Sequence, residues 1–311
     1  MGQVMFGRWI AISILLLTGC ATNYVNAPTT SLVTETTIDS RSQGAALVKA
    51  CAGRDGWSDK APPAHIFANV YMVGTCGITS LLITSPQGHF LIDGATDEAA
   101  AGIADNIRSL GFDPKDIGYL LITHEHLDHA GGVAKLKQIT GADFAVRAAA
   151  KEAMSTGLPV DDDPQHGIHP SFPAIKPDVM IGDYDVLFIG KQTIRVMATP
   201  GHSPGGTSYT WKSCDQHICQ QFVYADSLNA VSADDYRFSD HPAYVNTLRS
   251  SMAKIEAIPN CDIMISPHPF QSDFFERLAG EKPLVDPDGC KRYVAAARKR
   301  LDDRLNKEAT P

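Results

Sequence analysis

Short apolar runs broken by Gly and Pro fill the first half of this chain. Residues 65–73, 80–84 and 90–92 alternate or run apolar, and Gly74, Gly77 and the stretch 86–88 separate them. That pattern predicts three strands. Residues 98–110 place Ala99, Ile103, Ile107 and Leu110 at helical spacing and stop at Gly111, which predicts an amphipathic helix. A strand over 119–122 follows, then a helix over 133–140 closed by Gly141, a short strand over 144–147 and a helical turn over 151–154. Upstream, a short helix is expected over 44–50, ahead of irregular chain with Trp57 and Pro62-Pro63. Strands return at 184–189 and 192–198, and 207–211 with 222–225 reads as a hairpin whose tip carries Cys214 and Cys219. A helix over 242–257, an apolar strand over 263–266 and a final helix over 289–306 complete the pattern.

Two stretches break it. Residues 21–42 are rich in Thr, Ser and Asn without apolar periodicity, as a flexible tether is; the folded domain is expected to begin near Gln43. Residues 159–177 are irregular, acidic and proline-rich, with His166 and His169. A segment this long without regular structure reads either as a binding flap or as a surface excursion.

Chemistry is concentrated where the strand at 119–122 ends. The next residues are Thr123-His124-Glu125-His126-Leu127-Asp128-His129-Ala130-Gly131-Gly132. Imidazole nitrogen and carboxylate oxygen are the donors zinc takes in catalytic sites. Alternate side chains of an extended chain point the same way, so His124 and His126 can face one metal. Asp128 and His129, past the bend, can face a second. Glu125 and Leu127 alternate with these residues and are expected to be outward fillers. The theme recurs twice. His202 sits in Thr199-Pro200-Gly201-His202-Ser203-Pro204-Gly205-Gly206, and His268 in Pro267-His268-Pro269, each just past a strand. Strand ends on one sheet edge converge, and sites collect there.

Composition narrows the partners. The chain has 311 residues, 44% of them hydrophobic, enough for one large domain or two small ones. Net charge is −8, or −9 without Arg8, and no Lys/Arg-rich run occurs. A nucleic-acid partner is disfavoured, because phosphate binding needs a basic face. No obligate protein partner is inferred. Arg8 precedes an apolar run, residues 9–17, too short to span a bilayer. The run ends in Leu17-Thr18-Gly19-Cys20, which resembles the bacterial lipobox. That resemblance implies a signal peptide over 1–19, acyl chains on Cys20, and residues 20–42 as a lipid-anchored tether, with lipid the sole contact to membrane. Ala21, where an aspartate would imply inner-membrane retention, leans towards the outer membrane of a Gram-negative cell, facing the periplasm. The other reading is a plain secretory signal cut nearby. With Cys20 given to lipid, six cysteines remain: Cys51, Cys76, Cys214, Cys219, Cys261 and Cys290. An even number in an exported chain suggests disulfides, and six cysteines allow fifteen pairings. Sequence order makes Cys51–Cys76, Cys214–Cys219 and Cys261–Cys290 the natural set.

The run of motifs His-x-His-x-Asp-His, Gly-His-x-Pro-Gly-Gly and Pro-His, over roughly residues 50–300, resembles the metallo-β-lactamase superfamily. Residues 199–211 and Tyr224-Ala225-Asp226-Ser227-Leu228 resemble the third subclass of class B β-lactamases, with Ser227 where the other subclasses carry a metal-binding cysteine. Cys261 and Cys290 match that subclass's recurrent disulfide. The resemblance implies an α+β fold, an αββα sandwich in one catalytic domain over 43–311, with two Zn2+ per chain at one sheet edge. His124, His126 and His202 would hold the first ion, and Asp128, His129 and His268 the second. Ser227 and Asn229 would meet the substrate; Asn229 departs from the second serine found in some members. Asp226 bridges the metals in some superfamily hydrolases but stands behind the ligands in the third subclass. Asp93 either orients a ligand histidine from behind or is a turn aspartate. The implied activity is hydrolysis of β-lactams by a zinc-bound hydroxide, with Asp128 relaying the proton and no acyl-enzyme, giving resistance to these small-molecule antibiotics. The competing expectations are another zinc hydrolase of the same fold, such as a lactonase or thioesterase, and a non-catalytic zinc-binding lipoprotein.

Overall fold

Several strands of the molecule are buried on both faces, and this decides how its layers stack. The computed structural model describes residues 40–216 and 218–310. The expected signal peptide, the acylated Cys20 and tether residues up to 39 lie outside the described residues. Helix α1 (Ser40–Cys51) begins four residues before the expected start, inside the segment read as tether. Next come β1 (Ala64–Phe67) and β2 (Val70–Met72). They replace the single strand expected over 65–73, because the chain reverses at Ala68, whose φ is 49°, so that Phe67 pairs with Val70. After β3 (Leu81–Ile83) and β4 (His89–Ile92), the chain runs through α2 (Ala100–Ser109), β5 (Ile117–Leu121), α3 (Leu127–Ala130), α4 (Val133–Thr140), β6 (Asp143–Arg147), α5 (Lys151–Thr156) and β7 (Val179–Ile181). These seven strands form one sheet in chain order, antiparallel from β1 to β4 and parallel from β4 to β7.

The second sheet holds β8 (Val186–Ile189), β9 (Gln192–Ala198), β10 (Thr207–Asp215), β11 (Ile218–Tyr224) and β12 (Ile263–Ile265) in the order β12-β11-β10-β9-β8. Helix α6 (Pro242–Glu256) connects β11 to its parallel neighbour β12, and α7 (Phe274–Leu278) and α8 (Gly289–Ala309) follow. The hairpin β10–β11 is longer than expected, with the cysteine pair at its tip.

Alternation along the strands assigns each face. Phe90 and Ile92 of β4 join Tyr209, Trp211, Phe222 and Tyr224 in a core between the sheets. Leu91 points the other way, into a core with Ile103 and Ile107 of α2 and Val133 and Leu136 of α4. Val223 and Met264 meet Leu248 and Met252 of α6 and Val294 and Leu301 of α8 in a third. The layers are therefore helix, sheet, sheet, helix: the expected αββα sandwich, in a single domain. A strand buried on both faces shows a continuous apolar run in its sequence.

Three disulfides join Cys51 to Cys76, Cys214 to Cys219 and Cys261 to Cys290. The first ties the end of α1 to the loop after β2. The second closes the β10–β11 hairpin. The third fastens α8 to the chain entering β12.

Sheet direction places the loops. Strands β4 and β5 are parallel, so their C-terminal ends leave one sheet edge together. Strand β9 is antiparallel to β10, β10 to β11, and β12 is parallel to β11. The ends of β9, β11 and β12 thus also share one edge. Each of the His- and Asp-bearing motifs singled out as candidate ligands lies just past one of these five ends.

Candidate metal centre

The two edges face the same cavity. Donor atoms of His124, His126 and His202 lie within 4.8 Å of one another, as do those of His124, Asp128 and His129. His268 completes the second group, with Nε2 at 3.4 Å from Asp128 Oδ2 and its ring 5.1 Å from that of His129. All six residues singled out as ligands are brought together.

Each imidazole is held from behind. His124 Nδ1 meets Asp226 Oδ1 at 2.9 Å, His126 Nε2 meets Asp163 Oδ2 at 2.9 Å, and His129 Nδ1 meets Asp93 Oδ2 at 3.1 Å. His202 Nδ1 donates to the Asn229 carbonyl at 2.8 Å and His268 Nδ1 to the Gly77 carbonyl at 3.2 Å. Carboxylate and carbonyl oxygens accept, so these nitrogens carry a proton, and the opposite nitrogen of each ring is left to face the other donors of the site. That arrangement is how proteins orient metal-binding histidines. One of the opposite nitrogens, His124 Nε2, is buried with no hydrogen-bond partner among the described residues, and His129 Nε2 lies 3.2 Å from Asp128 Oδ2. A buried lone pair without a donor is costly unless a cation takes it. The set fits zinc, with nitrogen and oxygen donors and no thiolate.

The electrostatics agree. Burial, then the neighbouring imidazoles, push the His124 pKa well below its ordinary value. Burial and His126 bring His202 down to about 3, and burial and His129 bring His268 to about 4. Burial lowers His126, but Asp163 outweighs it and raises the ring above its ordinary value, and His129 goes the same way. Burial pulls it down, but Asp128 and Asp93 more than reverse this and raise it to about 10. In turn, burial raises Asp128, and His129 and His268 outweigh it, holding the carboxyl well below the usual range. His129 and Asp128 therefore compensate each other's charge until a cation replaces the proton.

The aspartates behind the site have distinct tasks. Asp93 has φ 66°, a left-handed conformation rare outside Gly, Asn and Asp. It accepts from Thr123 N at 2.6 Å, Thr123 Oγ1 at 2.9 Å and Tyr224 OH at 2.8 Å as well as facing His129. Asp93 is thus both a turn residue and the carboxylate behind the His129 ring. Asp226 stands behind His124, and burial holds its carboxyl well above the ordinary value.

One expectation is overturned. Glu125 and Leu127 are not outward fillers. Leu127 is half-buried and packs against the core under α2 and α4. Glu125 is fully buried. It accepts from Ser203 Oγ at 2.8 Å and Gly205 N at 2.6 Å, which stitches the His124–His126 segment to the turn carrying His202. A Cβ on Gly205 would lie 2.3 Å from Glu125 Oε2, so the approach requires glycine. We expect Glu125→Ala to lower stability by about 2–4 kcal/mol, because two buried donors lose their acceptor. Urea unfolding of the purified variant measures this, and a change near zero would show that the contact is dispensable.

Asp163 and Gln165 were not anticipated. Both are buried, in the 159–177 segment. Asp163 holds His126, and Gln165 Nε2 lies 3.3 Å from His126 Nδ1 and 3.2 Å from His202 Nε2. The segment also accepts Ala233 N at the Pro164 carbonyl, 2.8 Å. It covers the site, as the flap reading expects. His169 lines the cavity against Trp57, with ring centroids 5.3 Å apart. His166 turns away and bonds the Pro159 carbonyl.

The cavity above the histidines measures about 420 Å3. Asp128, Ser227 and Asn229 line it, with an apolar rim of Trp57, Ile168, Val231 and Phe270. A polar floor under an apolar rim suits a small organic molecule with one reactive polar group.

Comparison with known proteins agrees with this geometry. A family model described as Metallo-beta-lactamase superfamily matches residues 73–215. The structure is similar to that of the metallo-beta-lactamase MIM-1 from Novosphingobium pentaromativorans, with TM-score 0.82 and 45% identity, covering 85% of this chain and 98% of that one. It is similar to MEM-A1, a subclass B3 metallo-beta-lactamase from a soil metagenome library, with TM-score 0.78 and 36% identity over 82% of this chain and 99% of that one. An N-acyl homoserine lactonase AttM from Agrobacterium fabrum is 30% identical over 154 residues, 41% of this chain. The matches span 60% and 57% of the length of the first two curated relatives.

Proposed function

The chain belongs to the metallo-beta-lactamase superfamily and is a zinc-dependent hydrolase, and we propose that it opens the lactam amide of β-lactams with two zinc ions per chain. His124, His126 and His202 would hold one ion and Asp128, His129 and His268 the other. The observation that carries this is the ring-by-ring backing of five histidines, which leaves their free nitrogens turned to one place. Zinc in such a site supplies Lewis-acid polarisation of a carbonyl and a water acidified to near neutrality.

The residues do the rest. Ser227 and Asn229 bind and orient the substrate along the wall. Asp128, on the cavity floor, would take at its carboxylate the proton that the attacking water releases and pass it to the lactam nitrogen as the C–N bond breaks. The apolar rim and the flap exclude bulk water, which strengthens the polar contacts beneath them. In this reading Ser227 is not the nucleophile: among the described residues its hydroxyl meets the Asn229 amide and no lysine or histidine that could activate it. Export and lipid attachment at Cys20, read from the sequence, would hold the enzyme in the periplasm, where it meets such antibiotics before their targets.

Lactone hydrolysis is the second reading, favoured by the similarity to a lactonase. The test uses mature protein with its zinc counted, assayed against a penicillin, a cephalosporin, a carbapenem and an N-acyl lactone. We expect turnover of β-lactams that a chelator abolishes and added zinc restores, with no mass adduct on Ser227. Turnover of the lactone alone would favour the second reading. A metal-depleted preparation that kept its full rate would end both.

A further inference from the structure

The loop after β11 carries Ser227, Asn229 and Val231 along the cavity wall, and α8 grips that loop from outside. Arg304 donates to Ser232 Oγ at 2.8 Å and to the Tyr236 carbonyl at 3.0 Å. One turn earlier, Arg300 donates from Nε to Asn229 Oδ1 at 2.6 Å. Asn229 itself has two other contacts. Its backbone carbonyl takes the His202 Nδ1 proton, and its Nδ2 donates to Ser227 Oγ at 3.3 Å.

The arginine decides which way the Asn229 amide faces. The two ends of a carboxamide have the same shape, and only their partners tell them apart. A guanidinium donates and never accepts. Asn229 must therefore turn its oxygen to Arg300 and its NH2 to Ser227. Ser227 Oγ accepts from that NH2, so its own hydrogen is free to donate. The wall consequently offers two donors side by side. With the amide reversed it would offer a carbonyl oxygen, which repels an anion.

We propose that Arg300 is a positioning residue that sets the polarity of the Ser227–Asn229 wall and so makes it a site for the carboxylate of an anionic substrate. The proposal rests on the reading that Ser227 and Asn229 meet the substrate. Arg300 is exposed, and water and salt screen the charge of an exposed group. Its influence on a bound anion therefore runs through the amide it holds.

Two small thiols of equal length test this on the zinc-loaded full chain: mercaptoacetic acid, which has a carboxylate, and 2-mercaptoethanol, which has none. Binding of each is measured by calorimetry. Wild type is expected to bind the acid more tightly. Arg300→Met should weaken the acid about tenfold, the loss of roughly one hydrogen bond to a charged group, and leave the neutral thiol unchanged. In an Asn229→Ala background, Arg300→Met should have no further effect, because a residue that acts through another shows full coupling to it. Arg304→Met, which loosens the same loop, should lower the melting temperature and keep the preference for the acid. Equal weakening of both thiols by Arg300→Met would reduce Arg300 to a structural brace. An undiminished effect in the Asn229→Ala background would show a bare charge at work, and no preference in wild type would remove the carboxylate site altogether. The substrate reading is judged separately. Discrimination between the thiols that follows this pattern, in a protein that opens no β-lactam, would sink that reading and leave the role of Arg300 standing.

Discussion

His124→Ala is expected to lower kcat/KM by about a thousandfold or more, equivalent to roughly 4 kcal/mol of transition-state stabilisation. The size follows from its place between the two donor groups: its ring lies 4.8 Å from His126, 4.7 Å from His202 and 4.2 Å from His129. Loss of this imidazole removes one of the three nitrogens of the first trio. A metal site of this kind contributes several kcal/mol as a Lewis acid, so the first ion should leave with most of the rate. Asp226 Oδ1 would also lose its partner in a fully buried position. A drop in stability of about 1–3 kcal/mol should therefore accompany the loss of activity. Steady-state kinetics and zinc content on the same preparation check both parts. A variant that held its zinc and turned over at the parent rate would remove His124 from the site.

Asp93→Ala is expected to produce the largest loss of stability, about 3–5 kcal/mol, as when one member of a buried charged network is deleted. Four donors converge on this carboxylate: Thr123 N, Thr123 Oγ1, Tyr224 OH and His129 Nδ1. They come from β11, from the loop after β5 and from α3, so the residue pins the two sheets together beneath the site. Its φ of 66° adds a backbone cost for alanine that asparagine largely avoids. Zinc affinity should fall about 10–100-fold, the usual cost of losing the group behind a metal-binding imidazole. Asp93→Asn keeps the shape and one acceptor, and should lose less of each. Denaturant unfolding and zinc competition with a chelating dye separate the two effects. Parent-like zinc affinity in Asp93→Ala would show that His129 needs no support.

The six proposed ligands were legible because each sits in a short motif at a strand end. A strand followed by His-x-His-x-Asp-His states its own geometry, since residue spacing within one segment fixes which side chains agree in direction. The helices α2, α4 and α6 were legible for a similar reason: their apolar spacing is periodic and local. What could not be read were contacts between distant segments. Glu125 looked like an outward residue by alternation, yet its donors lie about 80 positions away, in the turn of Ser203 and Gly205. Asp163 and Gln165 sit in a stretch with no periodicity at all, and nothing local says that it folds back over His126. The reversal at Ala68 was missed because neither Gly nor Pro marks it; Asn69 was the one faint turn signal. Strand β7 has three residues and α7 five, too short for periodicity to register.

The parallel pairing of β12 with β11 sets an order of events. His268 trails a three-residue strand that can dock only after α6 has crossed over and β11 is already in place. The chain must therefore pair Ile263 with Phe222 before His268 can join the donors carried by the earlier strands. A nascent polypeptide stopped short of residue 263 would own the earlier trio and still be unable to grip a pair of ions. With two ions proposed per chain, loading of the pair would be a finishing step, reserved for molecules whose last strand has arrived.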